Sequence, residues 1–548
     1  MNLLIISPFR AWFPIAFIFL FAFQTGYSQQ QLPLIRANSR NVNIKDGYVL
    51  RNNIWNLSPD IKPDIYYPLD PVTNKVIIFY TDIDSISFCI EPGKTYDFAV
   101  LLNGKDTCYT QISMRKAEGN GSLKLISPEQ LAMDFVVFRN YLQMEHAGLY
   151  RYKTKTEMNR LFNQELISIR EPMTKLEFGK KILFTISQIQ DGHTGTNLSS
   201  TIMNTYKDST ALFPLFLFFS GNRAFVRCSK DPEIKKGSEV LTINGKSVSM
   251  IMRKLFDYLP GDGAIVTKKT QTLNNGSFAF LYHLVFGYKE LFEVSYRESG
   301  GRIRTADLKA TLARNIDCDF KVLNADKKDL QLQFLKNDVA LLTIKTFDID
   351  RLRRSKLDFE MFIKAAFEKM AIEKTKELII DLRGNAGGYD GYGPLLYSYL
   401  TLGPFRFQAA VYTANNPVPL KNMLHSLQQP QKERFAGKVV FLIDGLSFSA
   451  AADFCSIARS NRRGKFVGEE TGGAYYGNNS GQTTKIELPN SKIQVVIPRF
   501  RYFNAVKKTR YSNRGTIPDY TIIPSITDVF ENNDVQLNFA AGLLEKER

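Results

Sequence analysis

Residues 438–473 read KVVFLIDGLSFSAAADFCSIARSNRRGKFVGEETGG, and this stretch decides how the rest of the chain is understood. Lys438–Ile443 is a short apolar run rich in β-branched residues, the pattern of a buried strand. Asp444, Gly445 and Ser447 supply turn chemistry. AAADFCSIARSN then combines small helix-forming residues with apolar positions at helical spacing. A strand that turns sharply into a helix presents one side chain at the helix N-terminus, where orphan amides and the helix dipole favour a developing negative charge. Ser449 stands at that point. A serine ahead of a helix is ordinarily an N-cap, so within this stretch the cap and the nucleophile compete.

Working outward, LDFEMFIKAAFEKM places Phe359, Phe362, Ile363, Ala366, Phe367 and Met370 on one helical face. It leads into ELIIDL, a second buried strand, then Arg383-Gly384-Asn385-Ala386-Gly387-Gly388 and a helix expected to end near Gly403. The glycine turn could cradle an anion. It matches neither GxxxxGK[ST] nor GxGxxG, which argues against nucleotide binding. Two strand–turn–helix units in succession imply a parallel α/β sheet with its site at the carboxyl ends of the strands. LQFLKNDVALLTIKTF opens this unit.

Upstream, Ser127-Pro128-Glu129-Gln130 forms a capping-box signature. Helical periodicity follows in MDFVVFRNYLQMEH, TEMNRLFNQELISI and LEFGKKILFTISQI. The last of these delivers Asp191-Gly192-His193-Thr194-Gly195, where His193 sits in a glycine-flanked bend and the alternative is an ordinary turn histidine. KKGSEVLTINGKSV reads as a strand pair around an Asn-Gly turn, followed by a helix, MIMRKLFDYL, and a later strand, LFEVSYRES. Residues 40–118 alternate with period two (VIIFY, ISFCI, YDFAVLL, TCYTQISM) and suggest a small β-rich unit without chemistry of its own.

The 548 residues suffice for several cores. The net charge of +17 is spread through mixed-charge segments, so it reads as solvated surface. No motif favours nucleic acid. Residues 1–28 resemble a secretory leader: Arg10 precedes the apolar run 11–23, and Gly26 and Ser28 suit cleavage after Ser28. The expectation is an exported protein, periplasmic or extracellular, with no integral span after leader removal. An uncleaved anchor is the alternative. Among the cysteines, Cys89 and Cys108 could pair across neighbouring strands, whereas Cys228, Cys318 and Cys455 read as buried small hydrophobes. No metal-ligand spacing and no cofactor motif is present.

DGHT, IIDLRGNAGG, SFSAAADF and VGEETGG, in this order, resemble the C-terminal processing (tail-specific) serine peptidases, a family that includes the tricorn core peptidases. The likeness spans roughly 125–530. It implies an α/β multidomain chain with a crotonase-like α/β spiral catalytic core (306–548), a helical subdomain carrying His193 (125–205) and a PDZ-like domain (206–305). The β-rich N-terminal domain (29–124) lies outside the shared core. The implied activity is peptide-bond hydrolysis through an acyl-enzyme on Ser449, with protein or peptide substrates. The alternative is a non-catalytic protein that binds peptides or hydrophobic ligands on the same fold.

The tail-specific branch uses a lysine in a VGE-P-T-x-G-K segment, but here Ala474 occupies that position. The tricorn-like branch uses a histidine, which His193 matches, and imidazole can take the hydroxyl proton and return it to the leaving amine. His146, His283 and His425 read as packing or loop residues. The oxyanion hole would come from the N–H groups of Ala450, Gly387 and Gly388. Two auxiliary positions of the Ser–His pattern differ: Gly192 replaces a serine and Ser512 a glutamate. Asp191, Ser512 and Asn513 remain as candidates to orient His193.

Overall fold

The computed structural model describes residues 125–198, 210–229, 231–312, 315, 328–335, 338–420 and 425–546; before residue 125 it gives only the backbone of short strands. Two of these strands, Thr95–Leu102 and Asp106–Ser113, pair antiparallel on either side of Asn103-Gly104, as the alternation in YDFAVLL and TCYTQISM anticipates. Cleavage at Ser28 and pairing of Cys89 with Cys108 fall outside the described residues.

The chain forms two compact units. The first comprises Met1–Tyr141, Asn163–Phe178 and Glu487–Ile493. In it, helix Pro128–Glu145 opens on the expected capping box: Ser127 N–H donates to Gln130 Oε1 at 3.3 Å and Gln130 N–H to Ser127 Oγ at 3.4 Å. Buried Asp134 accepts the backbone N–H groups of Asn490 and Ser491.

The second unit comprises Leu142–Phe162, Gly179–Ile486 and Gln494–Arg548. Its centre is a six-stranded sheet in the order Leu330–Phe334, Val339–Ile344, Glu377–Asp381, Lys438–Ile443, Lys465–Gly468, Tyr520–Thr521. The first pair is antiparallel and every later pair is parallel. Parallel strands need both faces covered, and the alternation of side chains divides the work. Leu378, Ile380, Phe441 and Ile443 pack with Ile363, Phe367, Phe454 and Ile457 on one face. Ile379, Val440, Leu442 and Val467 pack with Ala540 and Leu544 of the C-terminal helix Val535–Lys546 on the other. Helix Phe359–Ile372 buries the stripe read from its sequence, with Asp358 as N-cap. The helix after the glycine turn is shorter than expected. It spans Tyr392–Ser398, because Tyr399 and Leu400 close 3₁₀-type bonds to Leu396 and Tyr397.

An antiparallel sheet carries strands Phe216–Ser220, Arg223–Cys228, Glu239–Ile243, Leu291–Arg297 and Ile303–Lys309. The Asn244-Gly245 hairpin and helix Val248–Phe256 appear where the sequence places them. Two elements there carried no clear signal: helices Thr267–Thr272 and Phe278–Phe286, joined by a π-turn. Cys228 is disulfide-bonded, which corrects its reading as a buried small hydrophobe. Cys455 is free and buried, as expected. Among the described residues no helix is long and apolar enough to cross a membrane.

Candidate active site

Three turns meet at the carboxyl ends of the parallel strands and are tied to each other by backbone and side-chain bonds. Phe448 N–H donates to Asn385 O at 3.0 Å, joining the 444–449 turn to the RGNAGG turn. Gly472 N–H donates to Ser447 O at 3.0 Å, joining it to the GEETGG turn. Asp444 Oδ1 accepts the N–H groups of Leu446, Ser447 and Gly384, at 2.9, 3.0 and 3.0 Å. Ser447 Oγ donates to Leu382 O at 2.9 Å. The turn residues recognised in the sequence therefore do more than reverse the chain: they fix where position 449 must lie.

Ser449 begins helix Ala450–Ser460 with φ 52° and ψ −131°, and its side chain makes no capping hydrogen bond. A non-glycine residue in this region stores on the order of 1–3 kcal/mol and persists only where its surroundings over-determine it. The N-cap alternative requires extended backbone and a hydroxyl bonded to the helix amides, and Ser449 has neither. Gly387 (φ 93°) lies so close that a Cβ there would sit 2.6 Å from Ser449 Cβ and 2.9 Å from Ala450 N. Its own N–H donates to Asn385 Oδ1 at 2.9 Å, so that donor is already engaged. The N–H groups of Ala450 and Gly388 have no acceptor among the described residues.

The GEETGG turn is held by its acidic residue. Glu470 forms a two-pronged pair with Arg514, at 2.7 and 2.6 Å, and accepts Gly515 N–H at 2.8 Å. Ala474, in place of a lysine, is buried and donates its N–H to Asp262 Oδ2 at 3.2 Å.

His193 stacks on Phe448, the residue before Ser449, with ring centroids 4.4 Å apart and planes at 26°. The side chain is 17% exposed, but both ring nitrogens are covered and have no hydrogen-bond partner among the described residues. No hydrogen bond joins the imidazole to the Ser449 hydroxyl. Burial of the ring, opposed by Asp191 and reinforced by the Lys268 cation, lowers its pKa to about 4, so the imidazole is neutral at neutral pH.

Asp191 is the hub beneath it. Oδ2 accepts from Thr194 Oγ1 (2.5 Å), Thr194 N–H (3.0 Å) and His146 Nε2 (3.2 Å); Oδ1 accepts His193 N–H (3.2 Å) and lies 3.9 Å from His193 Nδ1. His146 Nδ1 accepts Gly148 N–H, which leaves the ring proton on Nε2 to face Asp191 and Thr194. His146 was read as a packing residue and belongs instead to this buried network. Nothing near MEHAGLY in the chain signals it, since its partners lie 45 and 48 residues away. Of the candidates to orient His193, Asp191 is in reach, Ser512 is exposed, and Asn513 uses its carbonyl to accept Ala264 N–H.

Asp262 lies on the far side of this cluster, its pKa raised to about 6 by burial and by Asp191. Asp191, His193 and Asp262 bring ligand atoms within 4.8 Å of one another, a set that could hold a cation. Burial lowers the pKa of the Lys268 amine, and the Asp262 and Asp191 carboxylates oppose that shift by favouring its charged form.

A parallel α/β sheet whose strand-to-helix turn holds a strained, uncapped serine beside free amides defines a serine hydrolase frame. Residues 338–522 match the model of peptidase family S41, so this domain is similar to the peptidases of that family. The crystal structure of mature CPAF is similar in fold, at 15% identity and a TM-score of 0.51, covering 76% of this chain and 96% of that one. Mature CPAF complexed with lactacystin matches at 15% identity and a TM-score of 0.50, covering 76% and 97%. No curated protein matches the chain.

Proposed function

We propose that the chain is an exported endopeptidase that cleaves proteins or peptides through an acyl-enzyme on Ser449, with His193 as general base. The strained, uncapped backbone at Ser449 is the observation that carries this reading. In the proposed mechanism a side-chain rotation lifts the His193 ring from Phe448 and brings a ring nitrogen to the Ser449 hydroxyl. The ring's neutrality at neutral pH supports its role as proton acceptor, and the Asp191 carboxylate at 3.9 Å would stabilise the imidazolium that forms. The N–H groups of Ala450 and Gly388 would receive the oxyanion, each typically contributing about 2.7–4 kcal/mol in the transition state. Gly387 shapes the space and uses its own N–H on Asn385.

The antiparallel unit with helix Val248–Phe256 is read as PDZ-like and the core as a crotonase-like spiral. The test is a peptide-library digest paired with fluorophosphonate labelling. The wild type should cleave and be tagged at Ser449, whereas Ser449→Ala should lose both by at least about 10³-fold with an unchanged melting temperature. A folded Ser449→Ala protein that still cleaves at the wild-type rate overturns the assignment. A wild type that neither cleaves nor labels favours the binding-protein alternative.

A further inference from the structure

Lys268 is absorbed neither by the motifs nor by the mechanism above. It lies on helix Thr267–Thr272, supplied by the segment that packs on the turns rather than by the parallel sheet. Its Nζ donates to Gly192 O at 2.9 Å and stands 3.5 Å from the centroid of the Phe448 ring. Those two residues immediately precede His193 and Ser449. A single ammonium thus bonds to the segment before the base and to the segment before the nucleophile. Asp262, six residues earlier, makes the matching bridge with its carboxylate: Oδ1 accepts Gly192 N–H at 2.7 Å and Oδ2 accepts Ala474 N–H at 3.2 Å.

The small size of Gly192 is what makes room for this arrangement. A Cβ at 192 would sit 2.8 Å from the Phe448 ring and 2.9 Å from Lys268 Nζ, so a larger residue and the lysine contend for one space. We infer that Lys268 is a positioning residue that clamps the His193 turn against the Ser449 turn, with Asp262 tying the same His193 turn to Ala474 of the GEETGG turn. This rests on the proposed Ser449–His193 chemistry. A cation–π contact desolvated in this way is stronger than one at the exposed surface. The hydrogen bond to Gly192 O adds direction, so Lys268 resists loss of register between the two turns.

The clamp has an electrostatic consequence. The titratable groups facing His193 are Asp191 from its own turn, Lys268 and Asp262 from the packed segment, and beyond Asp191 the imidazole of His146. Asp191 favours the imidazolium and Lys268 disfavours it. Removing the ammonium takes away the cation that disfavours the imidazolium.

Two readouts separate the clamp from the underlying chemistry. Histidine-ring NMR titration in the Ser449→Ala background needs no activity, and His193→Gln assigns the signal among four histidines. There, Lys268→Met should move the His193 titration to higher pH. In the active protein, Lys268→Met should lower kcat/KM and the phosphonate labelling rate by about 10²-fold, the usual consequence of a misplaced catalytic group, and shift the acidic limb of the pH profile upward. Lys268→Arg should recover part of the rate. Gly192→Ser should impair the wild type more than it impairs Lys268→Ala, because in the second case the new side chain meets only the Phe448 ring. An unmoved His193 titration in Lys268→Met, or Gly192→Ser costing the same in both backgrounds, overturns the clamp. Absent labelling of the wild type with a shifted titration overturns the peptidase chemistry and leaves the clamp standing.

Discussion

Arg383 opens one glycine-containing turn and His193 sits inside another, and their polar groups are treated in opposite ways. Arg383 is buried with every direction of its guanidinium used: Nε and one terminal nitrogen pair with Asp381 at 2.9 Å each, the terminal nitrogens pair with Asp534 at 2.6 and 2.8 Å, and Gln536 accepts at 2.8 Å. Burial opposes its charge, yet the two carboxylates hold it more firmly protonated than a free arginine. His193 is more exposed as a whole, but both ring nitrogens are covered and neither has a hydrogen-bond partner among the described residues. A saturated buried network ties the C-terminal helix to the sheet and has one arrangement. An unsatisfied one carries a desolvation cost that only a second arrangement, or a substrate, can relieve. The difference separates the residue that holds the frame from the residue expected to move.

The sharpest way to break this contrast is to delete the unsatisfied member. His193→Ala should reduce peptide hydrolysis by about 10²–10⁴-fold, the usual contribution of a positioned acid–base group, while the melting temperature changes little. If the variant unfolds instead, the ring is a packing residue and the contrast fails.

Arg383→Met probes the other side and should act on stability. It takes the guanidinium away from both carboxylates, while the Lys345 ammonium stays 3.2 Å from Asp381 and Leu537 N–H still donates to Asp534 at the start of the C-terminal helix. Breaking a buried pair by removing one partner costs about 3–5 kcal/mol. Denaturant titration should show that loss, with residual phosphonate labelling in the folded fraction. Normal stability with lost labelling would assign Arg383 to the chemistry.

Much of this architecture is visible in the chain before it folds. The apolar runs of the parallel strands, the stripe of Phe359–Ile372 and the turn chemistry of 444–449 are local patterns, and local patterns survive into structure. Ser449 was ambiguous only because its backbone angles, which rule out a cap, are set by bonds to Asn385, Leu382 and Gly472 from distant turns. His146 and Lys268 were invisible for the same reason taken further. VTKKTQT reads as a solvated run, and nothing in it shows that one lysine turns inward over Phe448. Even the substitution at 192 was legible only as a missing serine, since the space it vacates is defined by residues 76 and 256 positions away. Periodicity reports which face is buried. It does not report which polar group is buried with whom.

The smallest expected effect concerns Asp453, one turn into the helix that Ser449 begins. Its carboxylate is buried and accepts Nδ2 donors from Asn478 and Asn504, both at 2.8 Å. Burial, with Asp390 adding to it and the Asn504 bond opposing, raises its pKa to about 7. The folded state therefore binds a proton that the unfolded chain releases near pH 4, and stability from this group is present below that value and lost as pH rises through about 7. Asp262, raised to about 6, acts in the same sense. His193 acts in the opposite sense: its lowered pKa lets the unfolded chain bind the extra proton between about 4 and 6.5, so stability rises with pH there. Subtracting the melts of Asp453→Asn from those of the wild type cancels both. The new amide can also donate to Asn478 Oδ1 or Asn504 Oδ1, each buried without a partner. The variant should gain on the wild type between pH 5 and pH 8, and a difference that stays constant across that window would mean that Asp453 is ionised throughout and belongs with Arg383 among the satisfied charges.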